Sequence, residues 1–359
     1  MKLINKFKIV LFLLASGVLV IVALLTGTVI KNSEEMDKHY SRNVESEAYS
    51  DIKVLDCNGK EIYNGAFSKD SQLRKSTFHI VGDKHGSIPS SVLTTTVSQM
   101  KDGNIFGGYK SIEKIVNLTI DSELQKGAYT LLVNNGHKGC IVVIDYTTGE
   151  VKAIASTPSV DVFDAENASE GAFLNKATST YPPGSVFKAV SAAAMLESTS
   201  NVKSFIYNCS GIQEHVSCYN QTAHGEVTLR TALKYSCNCA IAKYADTYLT
   251  SESLCEYADR FGVLEERIIC DFATESSTVN KDDDIMWASN GQGMNLISPV
   301  SVASFYGTIA NNGIRVPLHI NSETQIDTEQ VMSEATSQYL KNALTVNCED
   351  MNLKYYDGV

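Results

Sequence analysis

The longest apolar run of the chain lies close to its N-terminus. Ile9 to Ile30 carries no charge over 22 residues, which is enough for a helix to cross a bilayer core of about 30 Å. Lys2, Lys6 and Lys8 precede the run, and flanking lysines place that end in the cytoplasm. The run is longer than the apolar part of a cleaved signal peptide, and no Ala-x-Ala site follows it. The pattern predicts a cytoplasmic tip and membrane anchor over residues 1–30, with the remainder outside the cell.

A polar linker and a small module follow the predicted anchor. Residues 31–49 are polar and charged and show no apolar period. The segment "DIKVLDCNGKEIYNG" then alternates around Asn58-Gly59, which predicts a β-hairpin. Residues 68–111, with "FHIVGDKHGSIPSSVL" and a glycine-rich "DGNIFGGY", extend the expectation of a β-rich module. We therefore expect residues 31–111 to form a juxtamembrane linker and a small β-rich N-terminal module.

The pattern changes near Ser111, where a larger α/β domain is predicted to begin. "VNLTIDSELQKGAYTLLVNN" indicates a strand ending at Ile120 and then a helix with Asp121 or Ser122 as its N-cap. "KGCIVVIDYTTGEVKAIAS" indicates a buried strand, a turn over residues 147–149 and a second strand. Further on, the pattern predicts a helix that begins at Pro299 and ends at 311–313, with Pro at its first position.

The most distinctive segment places a serine and a lysine on one face of a predicted helix. Pro182-Pro183-Gly184 ends whatever precedes it, and an apolar, alanine-rich helix of about three turns begins at Ser185. Lys188 follows three residues later, on the same face. A serine needs a nearby base to become a nucleophile, and a desolvated lysine can supply one. The alternative is an N-cap serine followed by a solvated lysine.

A second candidate pair lies 51 residues after Ser185. Ser236-Cys237-Asn238 falls within a predicted helical stretch over residues 226–249. Such a serine can relay a proton, and an asparagine amide can orient the lysine and hold a substrate carbonyl. The alternative is a polar pair at a helix junction.

Composition and cysteine content narrow the functional classes. Apolar residues make up 43% and charged residues 20% of 359, and the net charge of −11 argues against nucleic acid as a partner. Nine cysteines is an odd number, and we expect a disulfide between Cys209 and Cys218 and packing roles for Cys237 and Cys239. An alternative is a zinc site formed by Cys209, His215, Cys218 and His224, which the unusual spacing disfavours.

The string "YPPGSVFKAVSAAAMLE" resembles the active-site serine segment of class B penicillin-binding proteins. "HGEVTLRTALKYSCNCAIAKYA" resembles their Ser-x-Asn segment, and "SNGQGMNLISPVSVASFYGTIANNG" resembles their Gly-Gln-Gly segment. The resemblance implies an α/β transpeptidase domain over residues 112–359, with a mainly antiparallel central sheet and helices on both faces. It also implies that residues 31–111 form a pedestal between anchor and catalytic domain, which could bind cell-wall assembly proteins.

The same resemblance implies peptidoglycan cross-linking by acyl transfer. Ser185 would attack the D-Ala–D-Ala bond of a stem peptide, with Lys188 as base, Ser236 as proton relay and Asn238 as substrate clamp. β-Lactams would acylate the same serine, and neither cofactor nor metal would be needed.

The third motif of the family, Lys-Thr-Gly, does not occur after Ser236, and the sequence ends at "NLKYYDGV". Truncation of a longer gene is the favoured interpretation, while a degenerate copy and a non-catalytic scaffold stay open. A β-lactam sensor or β-lactamase is a further alternative. The resemblance implies that the strand carrying Lys-Thr-Gly supplies an N–H group to the oxyanion. We therefore expect the 359-residue form to acylate far more slowly than a form extended through that strand.

Overall fold

A computed structural model of the chain describes residues 48–101, 113–264, 268–269, 272–273 and 275–350. The predicted anchor and most of the polar linker lie outside these residues. Within the described part, none of the helices combines the length and the apolar character that a membrane crossing requires.

Helices alternate with short strands throughout the described residues. The α-helices are α1 (Ser71–Val81), α2 (Val92–Lys101), α3 (Ser122–Asn134), α4 (Lys188–Ser198), α5 (Leu229–Lys234), α6 (Asn238–Tyr248), α7 (Ser251–Arg260), α8 (Ile285–Ala288), α9 (Pro299–Ala310) and α10 (Glu334–Asp350). The strands are β1 (Ile52–Leu55), β2 (Glu61–Asn64), β3 (Lys114–Asn117), β4 (Gly139–Ile144), β5 (Val151–Thr157), β6 (Tyr207–Cys209), β7 (Ile212–Gln213), β8 (Val216–Ser217), β9 (Gly225–Val227), β10 (Ile268–Ile269), β11 (Phe272–Ala273), β12 (Ile314–Arg315) and β13 (Glu329–Gln330).

A three-stranded sheet of order β2-β1-β3 crosses the predicted boundary near Ser111, because β1 and β2 precede it and β3 follows it. The predicted hairpin is confirmed: β1 and β2 pair antiparallel, and Gly59 has a φ of 77°, which a residue without a Cβ adopts readily. β3 then pairs parallel with β1. A parallel pairing needs a long connection between its strands, and α1 and α2 occupy part of it.

The expectation of a β-rich segment over residues 68–111 is wrong for its described part, which contains α1 and α2. Asp70 caps α1 by accepting hydrogen bonds from the backbone N–H groups of Gln72 and Leu73. Leu73 and Ile80, two turns apart, are both buried. The β-branched run at the end of α1 favoured a strand, but the cap and the buried helical face decide the outcome.

The β4–β5 hairpin forms the antiparallel centre of the larger domain, as predicted. α3 begins after the N-cap Asp121 and packs on one face, where Ala128 and Leu132 contact Ile141 and Ala155. α9 packs against β4 on the other face, because alternate residues of a strand point in opposite directions. Helices therefore cover both faces, as the predicted α/β fold requires.

A second core surrounds α4, whose residues 188–196 are all buried. α5, α6, α7 and α10 pack around this helix. Its three consecutive alanines (192–194) are completely buried, so neighbouring helices can approach closely. Lys188 lies at the first position of α4, and the fold therefore carries a lysine into an apolar interior.

Candidate active site

A tight loop–loop contact sets the position of Ser185. Gly184 has a φ of 59° and its N–H donates to the Gly291 carbonyl at 2.9 Å. A Cβ on Gly291 would lie 2.1 Å from the Gly184 oxygen, so only glycine permits this approach. Residues 184–187 form a 3₁₀ turn, and α4 begins at Lys188 rather than at Ser185 as predicted. Ser185 is exposed at the start of a buried helix.

The Lys188 amine lies within hydrogen-bond distance of all three other predicted site residues. Its Nζ is 3.1 Å from Ser185 Oγ, 2.9 Å from Ser236 Oγ and 2.5 Å from Asn238 Oδ1. It also donates to the Ser236 carbonyl at 2.8 Å. Ser236 Oγ lies 3.0 Å from Ser185 Oγ, which closes the network. The structure brings all four predicted residues together.

Burial changes the acid–base chemistry of this lysine. The Lys188 side chain is only 2% exposed. Desolvation lowers its pKa from 10.5 to about 8, although neighbouring thiols oppose the shift. A substantial fraction of the amine is therefore neutral near physiological pH and can accept the proton of Ser185.

Ser236 and Asn238 reach the lysine from a sharp turn between two helices. The continuous helix predicted over residues 226–249 is wrong, because α5 ends at Lys234 and α6 begins at Asn238. Ser236 has a φ of 49°, a left-handed conformation that is uncommon for a residue with a side chain. Such strained positions cluster at functional sites. Asn238 is further held by donation from its Nδ2 to the Ser217 carbonyl at 2.9 Å.

Asn290 supports the site and was not predicted from the sequence. It is 3% exposed, and its Nδ2 donates to the carbonyl oxygens of Asn238 and Met286 at 3.2 and 2.9 Å. The signal in the sequence was its position immediately before Gly291, at the start of the Gly-Gln-Gly segment. That segment predicted a loop and gave no role to the preceding asparagine. Asn290 thus links that loop to the N-terminus of α6.

Cysteines gather directly behind the Ser-x-Asn turn. The predicted Cys209–Cys218 disulfide is not formed: both thiols are free and their sulfur atoms are 3.8 Å apart. Cys237, between Ser236 and Asn238, completes a group with these two and His224 in which the potential ligand atoms all lie within 4.8 Å of one another.

This group differs from the zinc alternative weighed on the sequence. His215 is not part of it, since its Nε2 lies 3.1 Å from a carboxylate oxygen of Asp284. Cys237 takes its place. Although burial opposes the change, hydrogen bonds involving His224, Gly211 and Cys237 lower the pKa of the Cys209 thiol to about 6. A thiolate is the form that binds metal ions.

A family model described as the penicillin-binding protein transpeptidase domain matches residues 139–355. The chain belongs to this family. The predicted resemblance to class B penicillin-binding proteins is thereby confirmed, and the matched range contains all four residues of the Lys188 network.

Curated relatives and solved structures agree with this assignment. Peptidoglycan D,D-transpeptidase FtsI of Escherichia coli K12 is 27% identical over 235 residues, covering 61% of this chain and 39% of that protein. Peptidoglycan D,D-transpeptidase PbpA of Mycobacterium tuberculosis is 27% identical over 229 residues, covering 55% and 46%. The chain thus spans less than half the length of these relatives.

The ceftriaxone acyl-enzyme complex of penicillin-binding protein A from M. tuberculosis superposes with a TM-score of 0.69 at 20% identity. The superposition covers 85% of this chain and 82% of the other. It confirms the α/β transpeptidase fold.

Proposed function

We propose that this chain carries out peptidoglycan cross-linking as a D,D-transpeptidase. The observation that carries the proposal is the buried Lys188 amine in contact with Ser185, Ser236 and Asn238. A non-catalytic scaffold would have no use for a desolvated amine held against an exposed serine hydroxyl. The names of the curated relatives support the same activity.

Ser185 is the nucleophile of the proposed reaction. Neutral Lys188 accepts the proton of Ser185 Oγ as that oxygen bonds to the carbonyl carbon of the penultimate D-alanine of a stem peptide. Collapse of the tetrahedral intermediate breaks the D-Ala–D-Ala bond, and the leaving amine receives its proton through Ser236, which lies between the lysine and the nucleophile. An amine of a neighbouring strand then attacks the Ser185 ester and releases the cross-linked peptide. The acyl transfer itself needs no cofactor.

Asn238 has two parts in this proposal. Its Oδ1 accepts from Lys188 and so orients the base. One N–H of its amide donates to Ser217, and the proposal assigns the second N–H to a substrate carbonyl. β-Lactams would acylate Ser185 because they present a strained amide to the same groups.

Covalent labelling tests the nucleophile. The protein expressed from its own gene is incubated with a fluorescent penicillin and compared with Ser185→Ala and Ser198→Ala. Ser198 is exposed at the far end of α4 and serves as the matched control. We expect Ser185→Ala to lose labelling while its free energy of unfolding stays within about 1 kcal/mol of the parent. Equal labelling of Ser185→Ala and the parent would assign the nucleophile to another residue.

The proposal also places the protein at the cell membrane, with the N-terminus in the cytoplasm and the catalytic domain outside. The apolar run of residues 9–30 and the lysines before it support this topology. Residues 31–111 would be linker and pedestal and residues 112–359 the transpeptidase domain, following the change of composition near Ser111.

Protease accessibility tests the topology. Protease added outside intact cells, after removal of the outer layers where present, should degrade residues 31–359 and spare a cytoplasmic marker protein. Protection of residues 31–359 under conditions that degrade a known external protein would contradict the proposal.

A further inference from the structure

The cysteine group behind the Ser-x-Asn turn joins parts of the chain that the catalytic network does not connect. Cys209 ends β6, Cys218 follows β8 and His224 precedes β9. Cys237 comes from the turn between α5 and α6. The three cysteines are buried, and His224 is half-buried at one side. None of these four residues has a role in the proposed acyl transfer.

The separations of the four side chains suit a tetrahedral metal ion. With zinc–sulfur bonds of about 2.3 Å, neighbouring sulfur atoms of a tetrahedral site lie about 3.8 Å apart. The observed sulfur–sulfur distances are 3.8 Å for Cys209–Cys218, 3.6 Å for Cys218–Cys237 and 3.4 Å for Cys237–Cys209. His224 Nδ1 lies 3.6 Å from Cys209 Sγ. A metal ion could bind there with only small movements of the ligands.

Backbone groups around the sulfurs complete the environment expected of a thiolate site. The Gly211 N–H donates to Cys209 Sγ at 3.4 Å, and the Ala240 N–H donates to Cys237 Sγ at 3.4 Å. Such outer hydrogen bonds stabilise the charge of metal-bound thiolates and fix their orientation. Gly211 has a φ of 94°, and a Cβ there would lie 2.1 Å from the Gln221 carbonyl oxygen. The turn that presents its N–H to sulfur therefore depends on glycine.

Neither packing nor disulfide formation explains the group as well. By distance, Cys209 could pair with Cys237 and Cys218 with Cys239, at 3.4 and 3.5 Å, but all four thiols are free and Cys209 lies near both Cys218 and Cys237. Apolar packing has no need for an imidazole nitrogen directed at a sulfur. Three sulfurs and one imidazole nitrogen form a donor set that zinc favours among the common metal ions.

We propose that Cys209, Cys218, His224 and Cys237 bind one zinc ion as a closed structural site. All four ligand positions are filled by protein, so the ion has no open position for water or substrate. The ion would clamp the turn holding Ser236 and Asn238 to the β6–β9 segment. This positioning role rests on the proposed function: zinc would hold Ser236 in place for proton transfer and would take no part in the chemistry itself.

Metal content is the direct test of the site. The full chain is purified with a reductant and zinc, dialysed, and analysed by mass spectrometry for metal and for free thiols. We expect about one zinc per chain in the parent and in the control Cys255→Ser, whose thiol lies on α7. We expect Cys209→Ser and His224→Ala each to weaken zinc affinity at least about tenfold. Cys239→Ala discriminates further, because Cys239 is buried beside Cys218 but is not among the proposed ligands, and it should retain zinc.

Cobalt substitution gives a readout that a structural role of the side chains alone would not produce. Co²⁺ bound in place of zinc should show thiolate-to-metal charge-transfer absorption in the parent and Cys255→Ser, and this absorption should weaken in Cys209→Ser. A Cys209–Cys237 disulfide in place of bound metal, or a zinc content that the ligand variants leave unchanged, would overturn the proposal.

Acylation measurements separate this inference from the proposed function. Mild chelation of zinc should slow β-lactam labelling at least about tenfold, and added zinc should restore it. Absence of labelling in the fully zinc-loaded protein expressed from its own gene would count against the transpeptidase proposal and leave the metal site intact. Full labelling after complete zinc removal would overturn the positioning role.

Discussion

Lys188 is the residue on which the proposed chemistry depends most, because a lysine is a base only when it is neutral. An exposed lysine has a pKa near 10.4 and is almost fully charged at neutral pH. Burial at the start of α4 lowers the pKa of Lys188 to about 8. The charged amine donates to the Ser236 carbonyl, Ser236 Oγ and Asn238 Oδ1, and the neutral amine keeps two N–H groups for these acceptors.

The rate of β-lactam acylation should therefore depend on the protonation of Lys188. The neutral fraction grows as pH rises through about 8, so the rate constant should increase about tenfold per pH unit below that value and level off above it. Stopped-flow measurement of acylation across this pH range, with unfolding monitored in parallel, checks the prediction. A rate that does not change between pH 6 and 8 (about two units below the pKa and at it) would show that another group is the base.

Asn290 gives a second prediction at this scale. Asn290→Ala removes the donor to the carbonyl oxygens of Asn238 and Met286. Losing two hydrogen bonds made by a buried side chain costs about 1–3 kcal/mol, and the acylation rate should fall because Asn238 loses a support. The control Asn342→Ala changes an exposed asparagine on α10. Chemical denaturation and acylation kinetics of both variants check this, and unchanged stability of Asn290→Ala would refute it.

The four residues of the Lys188 network could be predicted from the sequence, because they belong to two short motifs, Ser-x-x-Lys and Ser-x-Asn, whose members lie within three positions of each other. The sequence did not identify Asn290 or the partnership of Cys237 with Cys209 and Cys218. Those contacts join residues 19 to 52 positions apart, and no periodic pattern encodes contacts at such separations. The zinc alternative matched no standard spacing, and the structure places Cys237 of the Ser-x-Asn turn, rather than His215, beside Cys209, Cys218 and His224.

At the scale of elements, the loop of residues 290–293 packs directly against the 3₁₀ turn of residues 184–187. Their contact is the Gly184–Gly291 hydrogen bond. The helices flanking the Ser-x-Asn turn were predicted as one, because the apolar period runs from α5 into α6 without a Gly or Pro. The left-handed backbone conformation of Ser236 interrupts the helix, and serine has no conformational preference from which this could be predicted.

Gly291→Ala should disable the site through this contact. Its Cβ would lie 2.1 Å from the Gly184 oxygen, at a φ of 72°, so the turn carrying Ser185 must shift. We expect labelling by fluorescent penicillin to fall at least about tenfold, as small displacements of reacting groups do. Gly136→Ala is the matched control, since Gly136 has a φ of 65° with open space around its Cβ. It should cost only about 1–2 kcal/mol of backbone strain and leave labelling intact. Similar labelling of the two variants would contradict this account.

At the scale of the whole molecule, an ion pair joins the N-terminal helices to the transpeptidase part. Arg74 on α1 donates two hydrogen bonds to Asp161 after β5, at 2.8 and 2.7 Å, and both side chains are about 90% buried. Hydrogen bonding to Arg74, opposed by desolvation, lowers the pKa of the Asp161 carboxyl to about 2. Stability from this pair is therefore complete above the unfolded-state pKa near 3.9 and is lost as pH falls towards 2.

Arg74→Ala should destabilise the protein by about 3 kcal/mol at neutral pH, because it leaves a buried carboxylate without its partner. The loss should shrink as pH falls from about 4 to 2, where Asp161 becomes protonated. Lys126→Ala removes ion pairs with the more exposed carboxylates of Glu123 and Asp70 and serves as control, at no more than about 1 kcal/mol. Urea unfolding at several pH values measures both, and equal losses for the two variants would contradict the prediction.

The two sides of the predicted boundary near Ser111 share one apolar core. Ile52 and Val54 of β1 pack in the same cluster as Val151, Ile154 and Ile320. Composition showed where the pattern changes but carried no information on packing between distant segments. Backbone hydrogen bonds also cross this boundary, since the Cys57 N–H donates to the Ile120 carbonyl and the Leu118 N–H to the Leu55 carbonyl, both at 2.9 Å.

This shared core has a consequence for biogenesis. Ile52 emerges early in synthesis, whereas its core neighbour Ile320 emerges only after most of the described chain has been made. Contacts between residues so distant in sequence close slowly, because the entropy of the intervening loop must be lost before they form. The apolar faces of the β2-β1-β3 sheet therefore stay exposed until the segment containing Ile320 has been synthesised and packs against them. We expect folding of the whole domain to be post-translational, and a holding chaperone that binds exposed apolar strands to be its main requirement.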